Sequence, residues 1–158
     1  MRRLTIVGAH VVFHRMLDIS PKRSLCAVLL CKRTLDAPVH PGYWGLFGGR
    51  LEVDEEPKRG VLREIHAELA IPAAKLALSN LCDVHIRRSK ESGDALGLRY
   101  FSSPLELEMD RLTLKRSIKD QKVEGQGLGW FTAEEIHHML LRPEDRIAIG
   151  AFFQRNGI

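Results

Sequence analysis

The sequence predicts an α+β fold, a mixed β-sheet with helices packed on it as an α-β-α sandwich. Three observations predict it. Strand-like segments follow one another through loops in the order β-β-β-α-β-β-β-α-α, which leaves too few helical crossovers for a doubly wound parallel sheet. The second strand-like segment is apolar on both faces, as a central strand would be. The first long helical pattern, amphipathic over Pro57 to Ala70, comes directly after a pair of glycines and an acidic stretch.

The elements are read in order. Residues 4–13, "LTIVGAHVVF", are rich in β-branched residues and predict a strand. Residues 18–24, "DISPKRS", predict a turn or loop, and residues 25–33, "LCAVLLCKR", the central strand. "DAPVHPGYWG" holds two prolines and two glycines and predicts a loop. "LFGG" then gives a short strand. From Pro57 to Ala70 the pattern is helical, with Pro57 at the first helical position and Glu55 and Glu56 suited to the helix N-terminus. Val61, Leu62, Ile65 and Leu69 share one arc of about 100°. Strands are expected near 75–87, 96–108 and 123–131. "TAEE" at 132–135 is a capping box that opens a helix through about Leu141. "PEDRIAIGAFFQRNG" predicts a last helix stopped by Gly157.

At 158 residues, 44% hydrophobic and 28% charged, residues 1–158 fit one domain with a full core. The start, "MRRLTIVGAHVVFHR", is broken by Gly8, His10 and His14, so it predicts neither a leader nor a membrane span, and a cytoplasmic location is expected. Cys26, Cys31 and Cys82 are odd in number and lack CxxC spacing, which fits free thiols in a reducing compartment. The net charge of +4 favours anionic ligands such as phosphates. The basic residues are scattered without aromatic interleaving, which argues against nucleic acid as a partner.

The helix raises a question of charge. Glu64 and Glu68 lie four residues apart, where like charges on a helix cost a few tenths of a kcal/mol. On a helical wheel Glu68 falls about 40° from Glu64, Gly60 about 40° to the other side and Ala67 about 60° away. The stripe is therefore two carboxylates flanked by small residues, at the edge of the apolar arc. A hard divalent cation would turn the repulsion into coordination, and Gly48 and Gly49 would let a backbone carbonyl approach. A solvated acidic face fits the wheel as well.

The full spacing narrows the choice. From Gly49 it runs five residues to Glu55 and seven more to Arg63, followed by Glu64, Ile65, Glu68 and Ile71. This resembles the signature of the Nudix hydrolases. "YWGLFGG", with Phe47 where the family commonly has Pro, resembles the approach to that signature, and "EGQGLGWFTAEEI" resembles the family's late strand and helix. The resemblance implies an α-β-α sandwich and Mg²⁺- or Mn²⁺-dependent hydrolysis of nucleoside diphosphate derivatives, with water attacking phosphorus. Carried over by position, Glu64 and Glu68 are metal ligands and Glu64 a candidate general base. The Gly48 carbonyl is a further ligand. Arg63 and Glu55 brace the loop against the helix, and Glu124 is the candidate carboxylate from a late loop. Tyr43 and Trp44 are candidates for stacking on a base, alongside a loop-anchoring role. A homodimer is compatible with the family, and no membrane partner is implied.

Two positions depart from the signature. Ala67 stands where the family has the first Glu of a Glu-Glu pair, which leaves the number of metal ions open. Ala70 stands where it has Gly, a change that matters if the chain needs positive φ there. Relatives that displace at the sugar carbon of GDP-mannose typically lose the carboxylate equivalent to Glu64. Its retention favours attack at phosphorus. A nucleotide-binding module without turnover is the remaining alternative. His66 is expected at the surface, and the neighbouring His137 and His138 point different ways and make a poor chelate.

Overall fold

A computed structural model describes residues 3–105 and 127–158. Its organising strand is β1 (Leu4–Ser20), 17 residues long. The first half of β1 pairs antiparallel with β4 (Phe47–Arg50), and its second half pairs antiparallel with β2 (Arg23–Lys32). Along its other edge β1 runs parallel to β6 (Ala95–Pro104), which makes the sheet mixed. Beyond β6 lies antiparallel β5 (Ser79–Arg88). On the far side of β2 stands β7 (Leu128–Thr132), while β3 (Trp44–Gly45) pairs with the end of β2 along the edge that β1 has left. β2 is thus interior, and Ala27, Val28, Leu29 and Leu30 are fully buried.

Three boundaries differ from the sequence reading. "DISPKRS" is mostly strand: β1 and β2 continue as a hairpin to a tight turn at Pro21–Lys22. Its residues are polar because this end of the hairpin is exposed, and the Ser24 hydroxyl donates to Asp18 at 2.6 Å. The short strand expected at "LFGG" is β4, and the end of the segment read as a loop, "DAPVHPGYWG", carries a further short strand, β3, because residues 44–45 pair with β2. The segment before β5 carries a single 3₁₀ turn at Ala73–Lys75.

Alternate residues of the sheet feed two cores. Ala9, Val11, Phe13, Leu29, Phe47 and Phe101 face α1 (Pro57–Leu69), which contributes Val61, Ile65 and Leu69. Val12, Val28, Leu30 and Tyr100 face α2 (Ala133–His137) and α3 (Pro143–Arg155), which contribute Ile136, Ala148, Ile149, Phe152 and Phe153. This is the period-2 alternation of a sheet covered on both faces, and it gives the expected α-β-α layering. α2 is capped as predicted: the Thr132 hydroxyl accepts from Glu135 N–H, and the Glu135 carboxylate accepts from Thr132 N–H at 3.0 Å. It is shorter than predicted, ending at His137, because the following residues pair with Trp44.

α1 begins with Pro57 at its first position, where the missing N–H costs nothing. The N-cap residue is Glu56, which makes no side-chain cap hydrogen bond. The helix closes with Ala70 at φ 58° and ψ 25°, its N–H donating to His66 O. The chain does need positive φ here, at the position where the signature carries Gly. A left-handed L-residue costs roughly 1–2 kcal/mol.

The loop into α1 is locked by charge. Arg63 donates to Glu55 in a fork, Nε to Oε2 and Nη2 to Oε1, both at 2.9 Å. Nη2 also donates to Arg50 O at 3.2 Å, which ties the helix to the end of β4. Glu52 N–H donates to Glu55 Oε1 at 3.0 Å. The guanidinium fork and this amide hold the Glu55 carboxyl down at about 2. Glu55 thus serves the arginine, and no side-chain cap hydrogen bond closes the helix N-terminus.

Two tests follow from this geometry. Ala70→Gly should raise stability by about 1 kcal/mol, part of the relief being offset by the added freedom of the unfolded chain. For a protein of this size that is a rise of roughly 2–4 °C in thermal midpoint; an unchanged or lower midpoint would contradict a strained cap. Glu55 has a folded-state pKa below its unfolded value. Its contribution is therefore complete above the ordinary carboxyl range and is lost as pH falls from about 4.5 to about 2. Glu55→Gln should destabilise the protein at pH 7, with the gap to wild type closing through that window. Urea unfolding at a series of pH values measures the gap, and a constant gap would remove the ion pair as its source.

Candidate functional site

Helix α1 lays Glu64 and Glu68 against the paired glycines of β4. Gly49 stands beside Glu64: a Cβ there would lie 2.8 Å from the Glu64 carboxyl carbon. Gly48 stands beside Glu68, donating its N–H to Oε1 at 3.3 Å. Gly48 has φ +142°, and a Cβ there would sit 2.2 Å from Ala9 O, so only glycine fits between β1 and the helix. The Gly48 amide points at the carboxylate stripe. Gly60, on the other flank, is packed under Leu51 and Glu55 with no room for a side chain. Arg63 Nη1 donates to Glu64 Oε1 at 2.8 Å, so one guanidinium joins Glu55 and Glu64.

The stripe offers hard oxygen donors, the carboxylates of Glu64 and Glu68. That chemistry suits Mg²⁺ or Mn²⁺ and suits neither a soft metal nor a tetrahedral nitrogen and sulfur site. Among the described residues no three His, Cys, Asp or Glu side chains are gathered to hold a metal ion. A cation at Glu64 and Glu68 would therefore complete its shell with carbonyl, water or substrate oxygens. Ala67 is exposed and adds no donor.

On the opposite side of Gly48 lies a buried polar network that the sequence reading missed. Asp145, 1% exposed, accepts from Leu46 N–H at 2.9 Å, from Tyr100 Oη at 2.6 Å and from Arg142 Nε at 2.8 Å. Arg142 Nη2 donates to Leu46 O at 3.2 Å. His10, paired with Gly48 across the ladder, stacks on Tyr100 with ring centroids 5.4 Å apart. Burial drives the His10 pKa down to about 4, against the pull of Asp145 and with the help of Arg142, so the ring is neutral at pH 7. Burial and the Asp145 carboxylate both push the Tyr100 hydroxyl up. Burial opposes the charge on Arg142, but Asp145 at its side keeps it firmly cationic, and Glu68 adds to that field. The one local signal was an Asp in the first turn of the helix after Pro143, which reads as ordinary helix chemistry. Its partners lie 45 and 99 residues away.

The other predicted residues are dispersed. Trp44 is half-buried, edge-on to Phe131 at 4.9 Å, and its backbone is held by Leu140 O and Arg142 N–H. Tyr43 packs on His40 at 5.0 Å in the preceding loop. His66 is exposed. His137 and His138 touch edge to face on the surface of α2. Cys26 and Cys82 are free thiols. Glu124 lies outside the described residues. Among the described residues, no helix is long and apolar enough to cross a membrane.

Comparison with known proteins agrees with this geometry. The chain is 29% identical over 121 residues to nucleoside triphosphatase NudI of Enterobacter sp. (strain 638), covering 77% of this chain and 84% of that one. The NUDIX domain of Shewanella oneidensis NrtR, solved with ADP ribose, superposes with TM-score 0.68 at 18% identity, covering 99% of this chain and 90% of that one. A MutT NUDIX hydrolase from Burkholderia pseudomallei superposes with TM-score 0.60 at 25% identity, covering 94% of this chain and 98% of that one. The NUDIX domain family profile matches residues 16–152, a span that takes in β4, the carboxylate helix and the Arg142–Asp145 segment. With Glu55, Arg63, Glu64 and Glu68 all in the places that the signature requires, the chain belongs to the Nudix family of pyrophosphohydrolases.

Proposed function

We propose that this chain, as one domain, hydrolyses the pyrophosphate linkage of a nucleoside diphosphate derivative, with water attacking phosphorus and Mg²⁺ or Mn²⁺ as cofactor. The substrate classes are nucleoside triphosphates, oxidised nucleotides and nucleotide sugars. Similarity to a nucleoside triphosphatase puts the first of these at the head of the series. The observation that carries the reading is the contact of Glu68 with Gly48 and of Glu64 with Gly49, two carboxylates held against close-approach backbone.

In this reading Glu64, Glu68 and the Gly48 carbonyl hold the cation, and Glu124 adds a carboxylate. A bound ion supplies neutralisation of the phosphate oxygens and a more acidic water. Glu64 is the group that takes the proton from the attacking water. Arg63, fixed by Glu55, orients Glu64 through the 2.8 Å hydrogen bond. Tyr43, half-buried on its loop, and Trp44 are the aromatic surfaces proposed for the base. A cytoplasmic location is part of the reading, supported by the free thiols of Cys26 and Cys82.

A Mg²⁺-supplemented screen of nucleoside triphosphates, oxidised nucleotides and nucleotide sugars in ¹⁸O-water tests the reaction. Label is expected in the phosphate product, and label in a released sugar would mean displacement at carbon. Glu64→Gln and Glu68→Gln should each remove most of the turnover, a loss of several kcal/mol in transition-state stabilisation, with thermal midpoints near wild type. Near-wild-type turnover in either variant would defeat the site assignment. Glu124→Gln should raise the Mg²⁺ concentration for half-maximal activity at least tenfold, or ~1.4 kcal/mol. Ala67→Glu in that background should recover part of the loss. An unchanged Mg²⁺ requirement in Glu124→Gln would leave the site with two carboxylates.

A further inference from the structure

Leu46 belongs to neither β3 nor β4 and precedes the first ladder pair of β4, Val11 with Phe47. Leu46, between β3 and β4, is buried, yet both of its backbone groups are paired with side chains. Its N–H reaches Asp145 Oδ2 at 2.9 Å and its carbonyl reaches Arg142 Nη2 at 3.2 Å. The two side chains are themselves bonded, Arg142 Nη2 to Asp145 Oδ2 at 2.7 Å. Just upstream, Leu140 O accepts from Trp44 N–H at 2.8 Å and Arg142 N–H donates to Trp44 O at 3.1 Å. Residues 140–142 thus run beside Trp44 as a parallel bridge, and the Arg142–Asp145 pair extends that bridge by side chains to Leu46.

The position this clamp fixes is two residues before Gly48. Gly45 is built to admit it: a Cβ there would lie 2.7 Å from Arg142 Nε and 2.9 Å from Asp145 Oδ2. Gly48 has little latitude, being wedged between Ala9 O and Glu68. A shift at Leu46 is therefore passed to the backbone that meets the carboxylate stripe.

We propose that Arg142 and Asp145 are positioning residues for the metal site. By holding Leu46 at both backbone groups they set where Gly48 meets Glu68, and so the affinity for the divalent cation. The inference rests on the metal site proposed above. It concerns groups that do not touch the cation, the kind of partner whose loss weakens metal binding roughly 10–100-fold.

Direct Mn²⁺ binding, read as the loss of the free-ion electron paramagnetic resonance signal, tests this without turnover. Asp145→Ala should weaken Mn²⁺ binding roughly tenfold. Asp145→Asn, which keeps an acceptor for Leu46 N–H, should restore most of it. Arg142→Lys keeps the charge, loses the fork to Leu46 O, and should also weaken binding; it serves where Asp145→Ala does not fold. Tyr100→Phe removes a hydrogen bond from the same Asp145 but leaves its bonds to Leu46 N–H and Arg142 in place. It should lower the thermal midpoint and leave Mn²⁺ affinity at the wild-type value. Wild-type affinity in the folded variants Asp145→Ala and Arg142→Lys overturns the proposal, as does a Tyr100→Phe loss equal to theirs. Glu64→Gln in the same assay separates the two levels: if it also binds Mn²⁺ like wild type, the metal site itself is misplaced.

Discussion

The structure depends on one close approach, that of the Gly48–Gly49 backbone to strand β1 on one side and helix α1 on the other. A methyl at residue 48 meets Ala9 O at 2.2 Å, a backbone atom it cannot displace cheaply, and one at residue 49 would push the Glu64 carboxyl, 2.8 Å away, out of its place. The absence of two Cβ atoms lets the apolar arc of α1 reach Phe47 and Val11 while its carboxylate edge meets backbone. Packing and site are one contact. Val61, Ile65 and Leu69 each gain on the order of 1.5–3 kcal/mol by burial. That gain holds Glu64 and Glu68 where their mutual repulsion, a few tenths of a kcal/mol, would not place them.

This dependence explains how much could be read from the sequence. The carboxylate helix was legible because its information is local. The 3.6-residue period, Pro57, the paired glycines and the Arg63 and Glu55 spacing all fall within about two dozen residues. β2 was legible for the same reason, since a run that is apolar on both faces has one good location in a sheet. The requirement for positive φ at Ala70 was foreseen as a condition, because a glycine there would have marked it and alanine does not. Only the backbone angle shows that the chain takes the strained conformation regardless.

What stayed hidden was non-local. β1 continues to Ser20 because β2 pairs with it there, and its exposed residues gave a turn-like composition. β3 read as part of a loop because only its pairing with the distant end of β2 makes it a strand. The Arg142–Asp145 clamp had no signature at all: "RPED" looks like the start of any helix, and its target Leu46 is an unremarkable apolar residue. A buried ion pair gives weak evidence of stability, since desolvation can exceed the Coulomb gain. Its value here is geometric, because a charged pair that replaces a strand neighbour fixes a backbone position as an apolar pair could not.

The charge arrangement also answers why one helix carries two carboxylates on a stripe. Each has a compensating group from outside the helix face. Glu64 has Arg63 at 2.8 Å, and Glu68 has the Gly48 amide and the field of Arg142. The compensation is unequal. Arg63 is held by two bonds from Glu55 and a third to Arg50 O, so losing its single bond to Glu64 would leave it in place. In the proposed reaction a cation would compete with Nη1 alone for Glu64 Oε1, and the loop brace would survive that exchange. Ala67 fits the same logic. A third carboxylate on this stripe would add like-charge repulsion. Two acidic residues, each with its own partner off the stripe, offer oxygen to a metal while their charges are already partly offset.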